Sequence, residues 1–280
     1  MENQEFANNT KQILLFTVLT YALSWIFMLT GSSMKVMPII LLGVWTPSLL
    51  AISLTAHFYG RKGLAQFLGR FRRVKVAWYY WLALLFLPAL IHYVGIALWQ
   101  MISAGKVSGN IVLPIQYWLG AIIPSFLIAG LGEELGWRGF LLPRLQKKMS
   151  PLKATLLLAI IHFLWHLPTY WLGTGMHNVP TIFAIGFLFP WTVIFVWLYN
   201  KSQGSLIFAV GFHAISNASL SIVSFMPSER VVPITPHLIT QTSLPANLAG
   251  PYLTVVAVYI VIVVSVLIFG KFKQVNIDTP

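Results

Sequence analysis

Gly132-Glu133-Glu134-Leu135-Gly136-Trp137-Arg138-Gly139 closes a long apolar run and decides how the rest of the chain is read. It sets two carboxylates and a guanidinium at or near membrane depth. The chain has only six acidic residues: Glu2, Glu5, Glu133, Glu134, Glu229 and Asp278. The others lie in tails or a polar loop, so the two beside a hydrophobic segment are neighbours. A charged side chain in the hydrocarbon region costs roughly 2.5–3.5 kcal/mol on insertion scales. An adjacent carboxylate pair at that depth therefore marks a functional site.

Composition fixes the solvent. Hydrophobic residues make up 58% of the 280 positions and charged residues 9%, against about 25% charged in ordinary globular proteins. The chain reads as a polytopic membrane protein. The net charge of +12 does not point to nucleic acid, because the basic residues cluster in short loops between apolar runs, as the positive-inside rule describes. There is no cysteine, which excludes disulfides and thiolate metal sites. The N-terminus has two glutamates and no basic n-region, so the first apolar run reads as a retained span.

A bilayer span needs about 20 apolar residues. Eight stretches qualify: 12–30, 37–59, 77–102, 117–137, 152–168, 180–199, 204–226 and 251–270. The expected fold is an all-α, multi-pass bundle in the cell membrane, read as one domain over 1–280 with its motif core at 117–226. Segment 60–76 holds Arg61, Lys62, Arg70, Arg72, Arg73 and Lys75 and sets that end in the cytoplasm, with both termini. Of the 18 Lys and Arg residues, only Lys35, Lys106 and Arg230 then fall on the outer side. Segment 61–76 alternates basic residues with Leu64, Phe67, Leu68 and Phe71, which suits an amphipathic helix on the inner leaflet or a solvated basic loop. Loop 227–250, rich in proline, is expected to be irregular, and Pro190 to kink its span.

Three polar groups interrupt the apolar spans. Glu134 and Arg138, four residues apart on a helix, share a face with the glutamate first, the better order for an ion pair. Glu133 points away from that face and is left to meet other helices. The plainer reading is a charge cluster in water at the inner leaflet. His162 and His166 share a face of the fifth span, where two imidazoles can bind a metal or move a proton; a packing histidine near a helix end is the plain alternative. His213 and Asn217 share a face of the seventh span, and such side chains must find partners inside the bundle. His92 and His57 have no such companions and read as structural or interfacial, while His177 and His237 fall in external loops. Together a carboxylate, imidazoles and an amide on three helices make a set for hydrolysis: a base for water and donors for an oxyanion.

Glu-Glu-x-x-x-Arg, then Trp-His-Leu-Pro, then His-x-x-x-Asn, in this order over residues 133–217, resembles the CPBP family of intramembrane proteases. These are relatives of the CAAX prenyl endopeptidases and are also called the Abi group. The resemblance implies a helical bundle with a polar cavity open to the cytoplasmic side. It implies that Glu133 is the catalytic glutamate, supported by Glu134 and Arg138, and that His166 activates water with it. His213 and Asn217 take the oxyanion-stabilising positions. The family's Phe, four residues before the motif histidine, is His162 here, either a tolerated change or an added metal ligand. Glu133, His166 and His213 either hold Zn²⁺ or act without a metal.

The leading expectation is an intramembrane endopeptidase acting on a peptide or membrane-protein substrate, prenylated or not. Its rivals are a non-enzymatic protein of the same fold, such as a bacteriocin-immunity or partner-binding protein, and a small proton-coupled transporter. A transporter of this size is expected to show a repeated half or paired broken helices, and the sequence shows neither.

Overall fold

A computed structural model describes residues 2–107, 112, 114–171, 181–223 and 246–274. Of the loop expected over 227–250, residues 227–245 lie outside them, as do His177 and His237, whereas 246–250 are not irregular but open the last helix. The described chain is helical: α1 (Glu2–Met34), α2 (Met37–Gly69), α3 (Trp78–Ala104), α4 (Ile115–Gln146), α5 (Pro151–Trp165), α6 (Leu167–Trp171), α7 (Thr181–Lys201), α8 (Leu206–Ile222) and α9 (Ala246–Phe269). Among the described residues no strand forms beyond a single bridge between Val112 and Val223.

Long helical rods occupy the eight apolar stretches in order. Six of them are long and apolar enough to cross a membrane, and α5 and α8 are shorter apolar helices. At 15 and 17 residues they reach about 22 and 26 Å at 1.5 Å per residue, short of a ~30 Å hydrocarbon core. The shortening of α5 has a local cause. Pro168 has no N–H with which to extend the ladder, so the chain turns at His166 and restarts as α6. In α7 the helix runs on through Pro190.

Segment 61–76 is part of the bundle rather than a separate surface helix. Gly60, at φ 62°, breaks α2, and the helix resumes to Gly69 before a 3₁₀ turn over Arg70–Arg72. A positive φ of this kind costs glycine little and other residues more. The break swings Phe67 and Arg70 into the interior, while Arg61, Lys62 and Arg72 remain exposed. Arg70 donates from Nη1 to the Gly139 carbonyl at 2.8 Å and from Nε to the Gly204 carbonyl at 3.1 Å, and also meets the Tyr199 hydroxyl. Beside it Arg144 donates from Nε to Gln12 Oε1 at 2.6 Å and from Nη1 to the Phe140 carbonyl at 2.8 Å. Two guanidiniums buried to this degree are tolerable because each is held by several oxygens.

Glycine lets α4 run at the centre. A Cβ on Gly136 would lie 2.6–2.7 Å from Pro47 of α2, and one on Gly130 would lie 2.7 Å from the Val210 carbonyl oxygen of α8. Small residues that bring backbones together are the usual way helices associate where lipid supplies no hydrophobic drive. The helix carrying the two glutamates is thus clamped between α2 and α8.

Candidate active site

Within α4 the backbone widens into π-helical turns at Phe126–Gly130 and Leu135–Leu141, on either side of Leu131–Glu134. Such turns recur at functional sites, because an extra residue per turn re-aims side chains. Here they flank the carboxylate pair.

Glu134 and Arg138 are both fully buried. Arg138 Nη1 donates to Glu134 Oε1 at 2.8 Å, and its guanidinium lies 4.0 Å from the Phe195 ring centroid and 4.9 Å from that of Trp191. His213 Nδ1 reaches the same Glu134 oxygen at 2.7 Å. A carboxylate facing a guanidinium accepts, so Nδ1 carries the hydrogen and the imidazole is fixed with Nε2 as its other polar atom. Trp191 and Phe195 also flank the His213 ring, with centroids at 5.3 and 6.4 Å. The pair and its histidine form one rigid unit between α4, α7 and α8.

Glu133 points elsewhere. Its Oε2 lies 3.0 Å from His162 Nε2 and accepts from Trp137 Nε1 at 3.3 Å. His166 stands beside, its ring centroid 5.0 Å from that of His162. One ligand atom from each of Glu133, His162 and His166 lies within 4.8 Å of the others. The sequence reading pairs Glu133 with His166; the structure makes His162 its hydrogen-bond partner. Both histidines lie on one face of the fifth span, as their spacing requires. His166, however, is the turn residue past the end of α5, and the last regular turn delivers His162 to the carboxylate.

A cavity of about 290 Å³ ties these groups together. Glu133, His162, His166, His213 and Asn217 all line it, while Glu134 and Arg138 do not and lie behind its wall. Asn217 has no hydrogen-bond partner among the described residues and is half-buried, so its amide is available to whatever fills the space. The sequence reading of His92 needs correcting: it lines the far wall with Tyr259, its Nδ1 donating to the Pro88 carbonyl at 2.7 Å. The signal was present, since an ionisable side chain amid an apolar span is suspect by default. His57 is exposed and takes no part. Trp137 and Trp191 carried no sequence signal beyond their size.

Two comparisons bear on this arrangement. Residues 114–219, which contain every one of the motifs, match the family model of the type II CAAX prenyl endopeptidase Rce1-like proteins. The chain is also similar to CAAX prenyl protease 2 of Methanococcus maripaludis, at 24% identity over 238 residues, covering 78% of this chain and 87% of that one. The helical bundle, with six helices long and apolar enough to cross a membrane, reads as a multi-pass membrane protein, and its buried carboxylate–imidazole site falls inside the segment that matches the endopeptidase model. Both matches are to CAAX-type prenyl endopeptidases, the group that the ordered motifs of residues 133–217 resemble.

Proposed function

We propose that the chain is an endopeptidase of the cell membrane that hydrolyses a peptide bond with a water activated by Glu133 and its histidines. The observation that carries this reading is the Glu133 carboxylate on the cavity wall, 3.0 Å from His162 with His166 alongside. Oε2 is engaged by His162 and Trp137, which leaves Oε1 for water. A carboxylate in reach of a water is competent as a general base. Water's oxygen attacks the peptide carbonyl carbon, its proton passes to Glu133, and the same proton is later delivered to the leaving amine. Asn217 offers its amide N–H to the carbonyl oxygen as it becomes an oxyanion, and His213, held through Nδ1 by Glu134, donates from Nε2 only when its ring carries both protons.

The same donors suit a metal. Two imidazoles and a carboxylate with a fourth position for water are the ligand set of many catalytic zinc sites. Glu133, His162 and His166 would hold Zn²⁺ here, and His213, whose Nδ1 is turned to Glu134, stands outside that group. When bound, zinc lowers the pKa of its water to about 7 and polarises a carbonyl. With or without it, Glu133 remains the group on which the chemistry turns.

Purified protein in proteoliposomes is the test, assayed on peptides ending in a farnesylated or an unmodified C-terminus. Cleavage that Glu133→Gln abolishes, at equal protein in the membrane, supports the peptidase. A Glu133→Gln chain that keeps full biological function would favour a partner-binding protein, and proton-coupled flux in the same liposomes a transporter. A prenylated peptide, the substrate class named for the Methanococcus relative, is confirmed or dismissed by the farnesylated and unmodified arms.

A further inference from the structure

We propose that His92 and Tyr259 form a binding subsite that holds the backbone of one residue of the substrate, apart from the groups that cut it. That the occupant is a peptide rests on the function proposed above. The packing of α3 on α9 brings the two side chains level. A Cβ on Gly95 would lie 2.5–2.8 Å from Val255, so the backbones all but touch there. His92 stands one turn before Gly95 and Tyr259 one turn after Val255, and their rings meet edge to face with centroids 5.9 Å apart, as antiparallel neighbours require. Both are buried, and both line the cavity.

Each brings a polar atom that the protein leaves unpaired. His92 Nδ1 gives its hydrogen to the Pro88 carbonyl at 2.7 Å, which makes Nε2 of the neutral ring an acceptor. Neither that nitrogen nor the Tyr259 hydroxyl bonds to any described residue, and neither is sealed in protein. A pair serving only to join α3 to α9 would turn these atoms on each other or on backbone. An acceptor beside a hydroxyl instead matches one residue of an extended chain. Its N–H and C=O point to the same side, as they do toward a partner strand, so the N–H reaches His92 Nε2 and the carbonyl accepts from Tyr259.

The spacing to the cutting groups follows from α3 and α8, which run side by side with Trp81 against Phe208 at 5.2 Å between ring centroids and Leu84 against Gly211. His92 is therefore level with Ser219, about 9 Å along the bundle from His213 at 1.5 Å per residue. An extended chain covers that distance in about three residues. The same cavity is lined by Leu188, Trp191 and Leu220, which offer apolar contact to side chains of many shapes. His92 and Tyr259 read backbone alone, so what they fix is register: which bond of the chain comes to rest beside Glu133.

The test measures binding to the Glu133→Gln chain in proteoliposomes, with the farnesylated and unmodified peptides of the cleavage assay, each also made with one backbone N-methyl group at successive positions. The expected result is that methylation at one position weakens binding about tenfold, and that adding His92→Phe removes that sensitivity. Tyr259→Phe, which deletes a single oxygen, should weaken binding of the unmethylated peptides about fivefold, and with Glu133 restored should raise KM while kcat is kept. The methyl scan alters no residue of the protein, so a poorly folded variant cannot imitate it. The proposal is overturned if every methylated peptide loses as much with His92→Phe as without it, or if Tyr259→Phe lowers kcat at constant KM. Peptides that are cut by the native chain yet bind both variants at full strength remove the subsite and leave the peptidase standing. Peptides that are neither bound nor cut remove both.

Discussion

His213 hands its Nδ1 hydrogen to Glu134 Oε1 at 2.7 Å, on the same oxygen that Arg138 Nη1 reaches at 2.8 Å. The two neighbouring glutamates therefore have separate work. Glu134 fixes a histidine and neutralises a buried guanidinium, while Glu133 faces the cavity with His162.

That division predicts opposite phenotypes. Glu134→Ala strands Arg138 and leaves His213 unoriented, and breaking a buried pair by removing one partner costs about 3–5 kcal/mol. Thermal unfolding in detergent should show Glu134→Ala strongly destabilised. Glu133→Gln keeps the shape and should unfold near the wild-type temperature while cleaving nothing. Equal losses of stability in both variants would show that the two carboxylates are not separate in function.

Asn217 lines the cavity without a partner among the described residues. Asn217→Ala should leave folding unchanged and lower kcat by about 10²–10³, the usual loss for one oxyanion donor, with KM nearly constant. A change confined to KM would move Asn217 from the oxyanion to substrate binding.

Zinc titrated into metal-free protein should bind once per chain, and His162→Phe and His166→Phe should each remove that binding. Calorimetry reads this without any substrate. Retention of the site in both variants would exclude the Glu133, His162 and His166 group as its ligands. A metal-stripped protein that still cleaves at full rate would assign water activation to Glu133 and the imidazoles alone.

Gly136→Ala puts a methyl 2.6 Å from Pro47 Cβ and 2.7 Å from its carbonyl carbon and oxygen. Backbone cannot yield as a side-chain tip does, so α2 and α4 must part, at a cost of about 1–3 kcal/mol. The unfolding temperature should fall, and cleavage with it, because Glu133 and Glu134 sit on the displaced turn. A Gly136→Ala chain as stable as wild type would mean that the clamp is looser than its geometry.

Much of this was legible in the residues. Runs of apolar side chains long enough for a bilayer announce helices, and the i, i+4 spacing of Glu134 and Arg138 announces their bond, because both depend on local periodicity alone. What escaped depends on the ends and defects of helices. The π turns of α4 leave no mark on hydropathy. The choice between His162 and His166 turns on where Pro168 stops α5, and both face the same way until that point is known. Arg70 reads as one more loop charge until Gly60 swings its segment inward. His92 met its companions only through α8 and α9, far away in sequence.

The tight packing of Trp137, Phe140, Phe195, Tyr199 and Phe208 beneath the cavity has an electrical consequence. A polar hole in an energised membrane is a hazard, since each elementary charge that crosses releases about 2.3 kcal/mol per 100 mV. A pit with a dry aromatic floor lets water reach the Glu133 carboxylate while the ion gradients across the bilayer stay intact. The chain can do aqueous chemistry inside an insulator without puncturing it.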